Sequence, residues 1–396
     1  MIKTDDKERC CGCGTCGLVC PRRCISFEAD EIGAEYPVIS SEVCISCGRC
    51  EQVCPIQRRF ENGSRGKAAY AAYSLDTGVR FRGASGGMFE TFAGWIIRQG
   101  GSVFASKFDG DLKLRCVEAN TLSEVRSLTK SKYLQSDCVP MFPLMKQRVS
   151  EGKKILFCAA PCQVKALKNY LGGSADNGNV FLIDFVCHGV PSQRIFDKFR
   201  AYSEKKRGIK ITGFQFRTKI PGGATPHYYT MRYEKNGVEK RKTALYLTDP
   251  FYLAFQKYLI LRDSCYHCPY GSGHHEGDIT VGDFHNIDKY ISGINRFDGV
   301  STVIVNTERG KTLWDYVSAG LAFHELDLNA LYAGGEIYSG GTAEPARRKE
   351  FMEDIRTADF TFVADKWFDS RKEWKKAVYY ALPAFVRKLL KKAAGL

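Results

Sequence analysis

The chain has 396 residues, 44% of them hydrophobic, with seventeen cysteines and a formal net charge of +14. That length predicts two or three domains, and the lack of any run of about 18 apolar residues excludes a membrane-spanning helix. Met1–Arg9 is polar and charged and does not read as an export signal, so this many cysteines predict metal–sulfur chemistry in a reducing cytoplasm rather than a disulfide scaffold.

One cysteine spacing is written twice near the N-terminus. Cys10-x2-Cys13-x2-Cys16-x3-Cys20-Pro21 is followed by Cys44-x2-Cys47-x2-Cys50-x3-Cys54-Pro55. This is the bacterial ferredoxin run. Thiolates suit the soft iron of a 4Fe–4S cube. Three closely spaced cysteines wrap one cube, and the fourth, before proline, ligates the other. The expected sets are Cys10, Cys13, Cys16 and Cys54 for one cluster, and Cys44, Cys47, Cys50 and Cys20 for its neighbour. Gly12, Gly14 and Gly48 suit a backbone folded closely round a cube. The rival is a pair of zinc sites, which usually take two cysteine pairs per ion; two complete runs of four argue against it. Cys11 and Cys24 fall outside the runs and are expected to be bystanders.

Residues 1–60 thus read as a bacterial-ferredoxin-like domain whose folding leans on its metal centres. Residues 61–67, with Asn62-Gly63-Ser64-Arg65-Gly66, read as a linker. A strand is expected at Ala68–Tyr73, then the turn Gly83-Ala84-Ser85-Gly86-Gly87 and a helix over Glu90–Gln99. A glycine-rich turn feeding a helix can offer N–H groups to a phosphate, but a plain strand-to-helix turn explains it equally well.

Further strands are expected at Ser102–Phe108, Lys153–Phe157, Phe181–Val186, Asp278–Gly282 and Ser301–Val305, the last of the sheet, with a helix from Val164. Alternating strands and helices predict an α/β or α+β class with a mixed sheet. Ligands in such sheets gather at the carboxyl ends of strands, where Cys162 and Cys187 fall. Between Ile211 and Thr243 aromatic alternation around Asn236-Gly237 predicts a hairpin. His274 and His275, in a Gly/His loop, are expected to be exposed. Cys116, Cys138 and Cys158 read as core thiols.

Residues 341–396 read as a basic helical tail. From Arg371 onward eight Lys/Arg stand against one acid, Glu373. Trp374, Val378, Leu382, Phe385, Val386 and Leu389 lie at roughly helical spacing, interrupted by Pro383. Such a face suits an acidic membrane surface or packing against the body.

Five stretches, taken in order, resemble the beta-subunit family of coenzyme F-420 hydrogenases and dehydrogenases (FrhB/FdhB-like). They are Ser85–Phe89, Ser131–Ser136, Pro161-Cys162-Gln163, Val186–Ser192, and Ser264–Cys268 together with Asp278–Phe284. The resemblance spans residues 5 to about 310. It implies a mixed-sheet flavoprotein domain over residues 68–340, in parts 68–155 and 156–340. It also implies FAD, with Ser85, Gly86, Gly87, Lys132, Tyr133 and Gln135 as candidates to hold it. Lys132 near the flavin would stabilise its reduced, anionic form. Cys162, Cys187, Cys265 and Cys268 are expected to hold a third 4Fe–4S cluster; zinc or unpaired buried thiols are the rivals. His188 reads as a proton donor or as a hydrogen-bonded structural histidine.

The function implied is an iron–sulfur flavoprotein oxidoreductase. Reduced ferredoxin or a similar donor would supply electrons, and coenzyme F-420 or another small organic substrate would exchange them with FAD. The other reading is an electron-transfer subunit serving a separate catalytic chain. Nucleic-acid binding is not expected, because the positive charge concentrates in the tail and no reader motif is present.

Overall fold

The computed structural model describes residues 1–57, 65–221, 227–284, 287, 290, 296–333 and 341–368, and in the tail 375, 377–380, 382, 386, 387, 389 and 390. In the N-terminal unit β1 (Ile25–Ala29) pairs antiparallel with β2 (Glu35–Ile39). The body opens with β3 (Ala68–Ser74), β4 (Ser102–Phe108), β5 (Leu114–Ala119), β6 (Ile155–Ala159) and β7 (Val180–Phe185). Next, β8 (Lys210–Thr218), β9 (Tyr228–Lys235) and β10 (Val238–Leu245) form a separate antiparallel sheet. The chain then returns to the main sheet with β11 (Ile279–Asp283), β12 (Ser301–Val305) and β13 (Leu321–Leu326).

The main sheet has the order β13-β3-β12-β11-β7-β6-β4-β5. Its centre, β11-β7-β6-β4, is parallel, and the flanking pairs are antiparallel. Strands covered on both faces read as continuous apolar runs, as β6 (Ile-Leu-Phe-Cys-Ala) does. One face is covered by helices Met88–Arg98 and Glu308–Val317 through Phe92, Ile96 and Leu313. The other is covered by Phe142–Ser150 and Pro161–Leu171 through Phe142, Met145 and Leu167. The fold class is therefore mixed α/β with a small cysteine-rich unit at its N-terminus.

Several sequence expectations shift. The helix expected from Val164 starts at Pro161, because proline has no N–H to lose and a preset φ at the first helical position. That lifts Cys162 into the first turn. β12 is not the last strand: β13 adds an edge beside β3. Only its end residues Leu321 and Leu326 are buried, so it carries no period-two signal. The Asn236-Gly237 hairpin is present, with both residues at positive φ, +54° and +74°, the geometry a two-residue turn needs.

The early part of residues 341–396 forms helices Arg348–Thr357 and Phe360–Trp367. They bury Phe351, Ile355 and Val363 in a core shared with β8, β9 and helix Gln193–Arg207. Trp374, Phe385 and Pro383 of the amphipathic stretch, and residues 58–64 around the expected linker, lie outside the described residues. Among the described residues no helix is long and apolar enough to cross a membrane.

Candidate metal centre

The two runs repeat one local geometry. Gly14 and Gly48, at φ +78° and +74°, precede the short helices Thr15–Leu18 and Arg49–Val53. A left-handed residue there costs glycine nothing and folds Cys16 and Cys50 inward, where both are buried. Cys20, Cys44, Cys47 and Cys50 line one space of about 380 Å³. Cys16 is pushed far above the usual thiol range by burial and by the charges of Cys13, Cys10 and Cys54. The fourth cysteine of each run therefore stands with the first three of the other. Burial holds Cys54 up at about 11, and bound metal would stabilise its thiolate. Among the described residues no three His, Cys, Asp or Glu side chains converge on a single-ion position. Cys20 of the first run beside Cys44, Cys47 and Cys50 of the second suits the crossed ligation of two cubes.

The body gathers a second group of thiols. Cys162 sits in the first turn after β6, and Cys187 lies just past β7. Cys265 is in helix Asp263–Tyr266, and Cys268 follows it. All four line one cavity of about 900 Å³, part of it open to solvent. Their charges bear on one another, and burial pushes Cys187 well above the usual thiol value and Cys268 up to about 11. Asp184, near the end of β7, ties the segment leading into β11 to β7. Its carboxylate accepts N–H bonds from Glu276 at 2.8 Å and Gly277 at 2.9 Å, and the hydroxyl of Thr280.

Cys11, which falls outside both runs, lines the same cavity, where the neighbouring Cys162, burial and Cys10 push its thiol well above the usual value. Cys24 is also close to a candidate ligand, its Sγ 3.4 Å from that of Cys20. His275 is buried rather than exposed, with Nε2 3.2 Å from the Tyr332 hydroxyl and burial lowering its pKa. Cys116 and Cys138 are core thiols.

Body residues grip the N-terminal unit directly. Gln135 Nε2 donates to the carbonyls of Cys11 at 3.0 Å and Gly12 at 2.9 Å. Tyr270 donates its hydroxyl to Pro55 O, and Asn169 Nδ2 reaches Val53 O at 3.3 Å. Arg262 Nε donates to Cys10 O at 2.7 Å. Gln135 therefore faces the cysteine loop, not the Ser85 turn.

The remaining flavin candidates fall in two places joined by Arg217. Tyr133 stacks on Phe255 with centroids 4.4 Å apart, and its hydroxyl accepts from Arg217 Nη1 at 3.2 Å. Arg217 also donates to Ala84 O at 3.1 Å and pairs with Asp283 at 2.6 Å. The turn itself is occupied. Ser85 Oγ donates to Val300 O at 2.6 Å, and Gly86 N donates to Ser301 Oγ at 2.9 Å. Gly87, at φ +89°, heads the following helix.

Two cations that the sequence reading did not single out flank that turn. Lys219 Nζ donates to the Arg80 and Ser85 carbonyls, and burial lowers it to about 7. Arg80 Nη2 is buried with no hydrogen-bond partner among the described residues, which suits an anion. Lys132, lowered to about 7 by burial, donates to Leu128 O and to Thr129 O, the latter at 3.0 Å, and lies near Cys158. The His188 ring lies against Tyr258 at 6.0 Å, and its carbonyl accepts from Thr342 Oγ1 at 2.6 Å. Cys187 and Gly189, on either side of it, line the cavity.

Residues 152–328 match the family model described as the C terminus of the coenzyme F420 hydrogenase/dehydrogenase beta subunit. Residues 9–57 match that of the 4Fe-4S dicluster domain. No curated protein matches the chain. Among solved structures, a chain of the xenon-derivatised F420-reducing NiFe hydrogenase complex from Methanosarcina barkeri aligns with 80% of this chain and 93% of its own. The identity is 16% and the TM-score 0.43, a likeness too distant to carry function. The chain thus joins a stretch that matches the 4Fe–4S dicluster domain, which supports two clusters, to a body whose residues 152–328 are similar to the C-terminal domain of coenzyme F420 hydrogenase/dehydrogenase beta subunits.

Proposed function

We propose that this chain is an iron–sulfur flavoprotein oxidoreductase that moves electrons between its dicluster domain and an organic substrate, coenzyme F-420 or another small molecule. The observation that carries this reading is the convergence of Cys162, Cys187, Cys265 and Cys268 on one cavity whose wall includes Cys11 of the dicluster loop. Four thiols there fit a third 4Fe–4S cluster, and their nearness to the dicluster loop suits electron transfer. FAD, when bound, would convert one-electron steps into a two-electron or hydride transfer. Arg80 and Lys219 would meet its phosphates beside the Ser85–Gly87 turn, and Tyr133 with Lys132 would line the other side. A ferredoxin-like donor would reach the exposed Cys47 side of the dicluster unit.

Iron, sulfide and flavin content of anaerobically purified protein tests this reading. Three cubes predict about twelve irons, with one FAD per chain. About eight irons without flavin after reconstitution would overturn the enzyme reading. That outcome would leave an electron-transfer subunit for a separate catalytic chain. This second reading is favoured by one observation: the backbone and hydroxyl groups of Ser85 and Gly86 are already bonded within the fold.

A further inference from the structure

We infer that Arg262 is a positioning residue that raises the reduction potential of the cluster held by Cys10 above that of the outer cluster, making it the inner, electron-accepting end of the pair. The inference rests on the dicluster domain alone and stands whether or not a third cluster or a flavin is present.

Arg262 belongs to the body, yet its guanidinium lies inside the dicluster loop and is 2% exposed. Nε donates to Cys10 O at 2.7 Å, Nη1 to Gln135 Oε1 at 3.3 Å, and Nη2 to the Glu35 carbonyl. Nη2 also stands 3.9 Å from Cys10 Sγ. The plane covers the Tyr36 ring at 4.3 Å from its centroid. A β-carbon on Gly12 would collide with Nη1, so the glycine in the first Cys-x2-Cys step leaves room for this side chain.

Every one of those partners is a neutral carbonyl, amide or ring, or a cysteine sulfur. Among the described residues Arg262 pairs with no carboxylate; neighbouring Asp263 is taken by Arg348. A buried cation without a counter-ion is costly, and an anionic cluster with its thiolates removes that cost. Adding an electron makes the cluster more negative, so a fixed buried cation beside a ligand favours the reduced form. Cluster net charge and hydrogen bonds to sulfur are among the levers that set such potentials.

The outer set has positive neighbours as well, but in water. Arg22 and Arg49 border its space and are exposed. The Met1 ammonium is half-exposed and already paired with Glu51 at 2.9 Å. High dielectric and salt screen such charges strongly, whereas a buried charge acts at nearly full strength. The asymmetry between the clusters thus comes from one residue of the body.

The experiment is an EPR-monitored redox titration of the full-length, anaerobically purified protein and of Arg262→Gln, Arg262→Lys and Arg49→Gln, with iron and sulfide counted on each. In Arg262→Gln one cluster is expected to become at least tenfold harder to reduce, about 59 mV for a one-electron couple. The other should stay within threefold. Arg262→Lys and Arg49→Gln should leave both within threefold. A Gln variant that keeps its iron with both clusters unmoved overturns the inference, as does an equal shift of both. If Arg262→Gln loses iron, the Lys variant decides. Retained iron with unshifted potentials supports a role for the charge; loss of iron there too means a merely structural clamp and overturns it.

Discussion

Replacing Gln135 with alanine removes three bonds that tie the body to the dicluster loop: those to the carbonyls of Cys11 at 3.0 Å and Gly12 at 2.9 Å, and the one from Arg262 Nη1 at 3.3 Å. A protein hydrogen bond contributes about 0.5–1.5 kcal/mol net, and a buried group left unpaired costs about 1–3 kcal/mol. Arg262 Nε still holds Cys10 O at 2.7 Å, so the sum comes to roughly 2–4 kcal/mol. With a urea slope of about 1–3 kcal/mol per molar, the midpoint for loss of cluster absorbance should fall by about 1–2 M. The assay is anaerobic urea titration of the holoprotein, following visible cluster absorbance and far-UV ellipticity together. The visible transition should move before the ellipticity of the body. A midpoint within about 0.3 M of the parent would refute the reasoning. Selective loss of flavin with unchanged cluster stability would return Gln135 to the role the family resemblance gave it.

Three further outcomes are expected. Gly86→Ala drives a β-carbon into Ala72 O and sets it 3.0 Å from Ser301 N. Because both atoms are strand backbone, stability should fall by about 1–3 kcal/mol, and an unchanged melting temperature would contradict the packing described. Lys132 has a folded pKa of about 7 against an ordinary value of 10.5. Between those values the unfolded state binds the extra proton, so its contribution to stability rises with pH from about 7 to 10.5 and is lost as pH falls. Lys132→Met should flatten that rise in chemical denaturation curves, and an unaltered profile would count against it. Cys11→Ser should keep the dicluster iron and sulfide, since Cys11 lies outside both runs; loss of about four irons would make it a ligand.

The dicluster unit was legible because its ligands are local. A fixed spacing encodes the wrapping of a cube, and the crossed fourth cysteine follows from the proline behind it. Cys265-x2-Cys268 was legible for the same reason, and Cys162 and Cys187 through the rule that parallel strands present ligands at their carboxyl ends. Arg262 was not legible, because its contact with Cys10 spans 252 positions and no local pattern marks a buried cation's destination. Cys11 looked idle because adjacency to Cys10 says nothing about which side of the loop its sulfur takes. The Ser85–Gly87 turn was legible as a turn, but its surroundings were not. Small residues there serve close packing of the turn on β3 and β12, and the cationic chemistry sits on Arg80 and Lys219 beside it.

The spread of the cysteines along the chain also sets an order of assembly. Both dicluster sets are complete once Cys54 has been made, so a nascent chain can take up those clusters while the body is still unmade. The cavity's four thiols belong together only after Cys268 is synthesised and β11 has joined β7 in the parallel centre of the sheet, and pairings this distant in sequence form slowly. During that interval Cys162 and Cys187 are unshielded thiols in a partly folded body. An oxidant or excess metal arriving then would reach those thiols before the cavity encloses them.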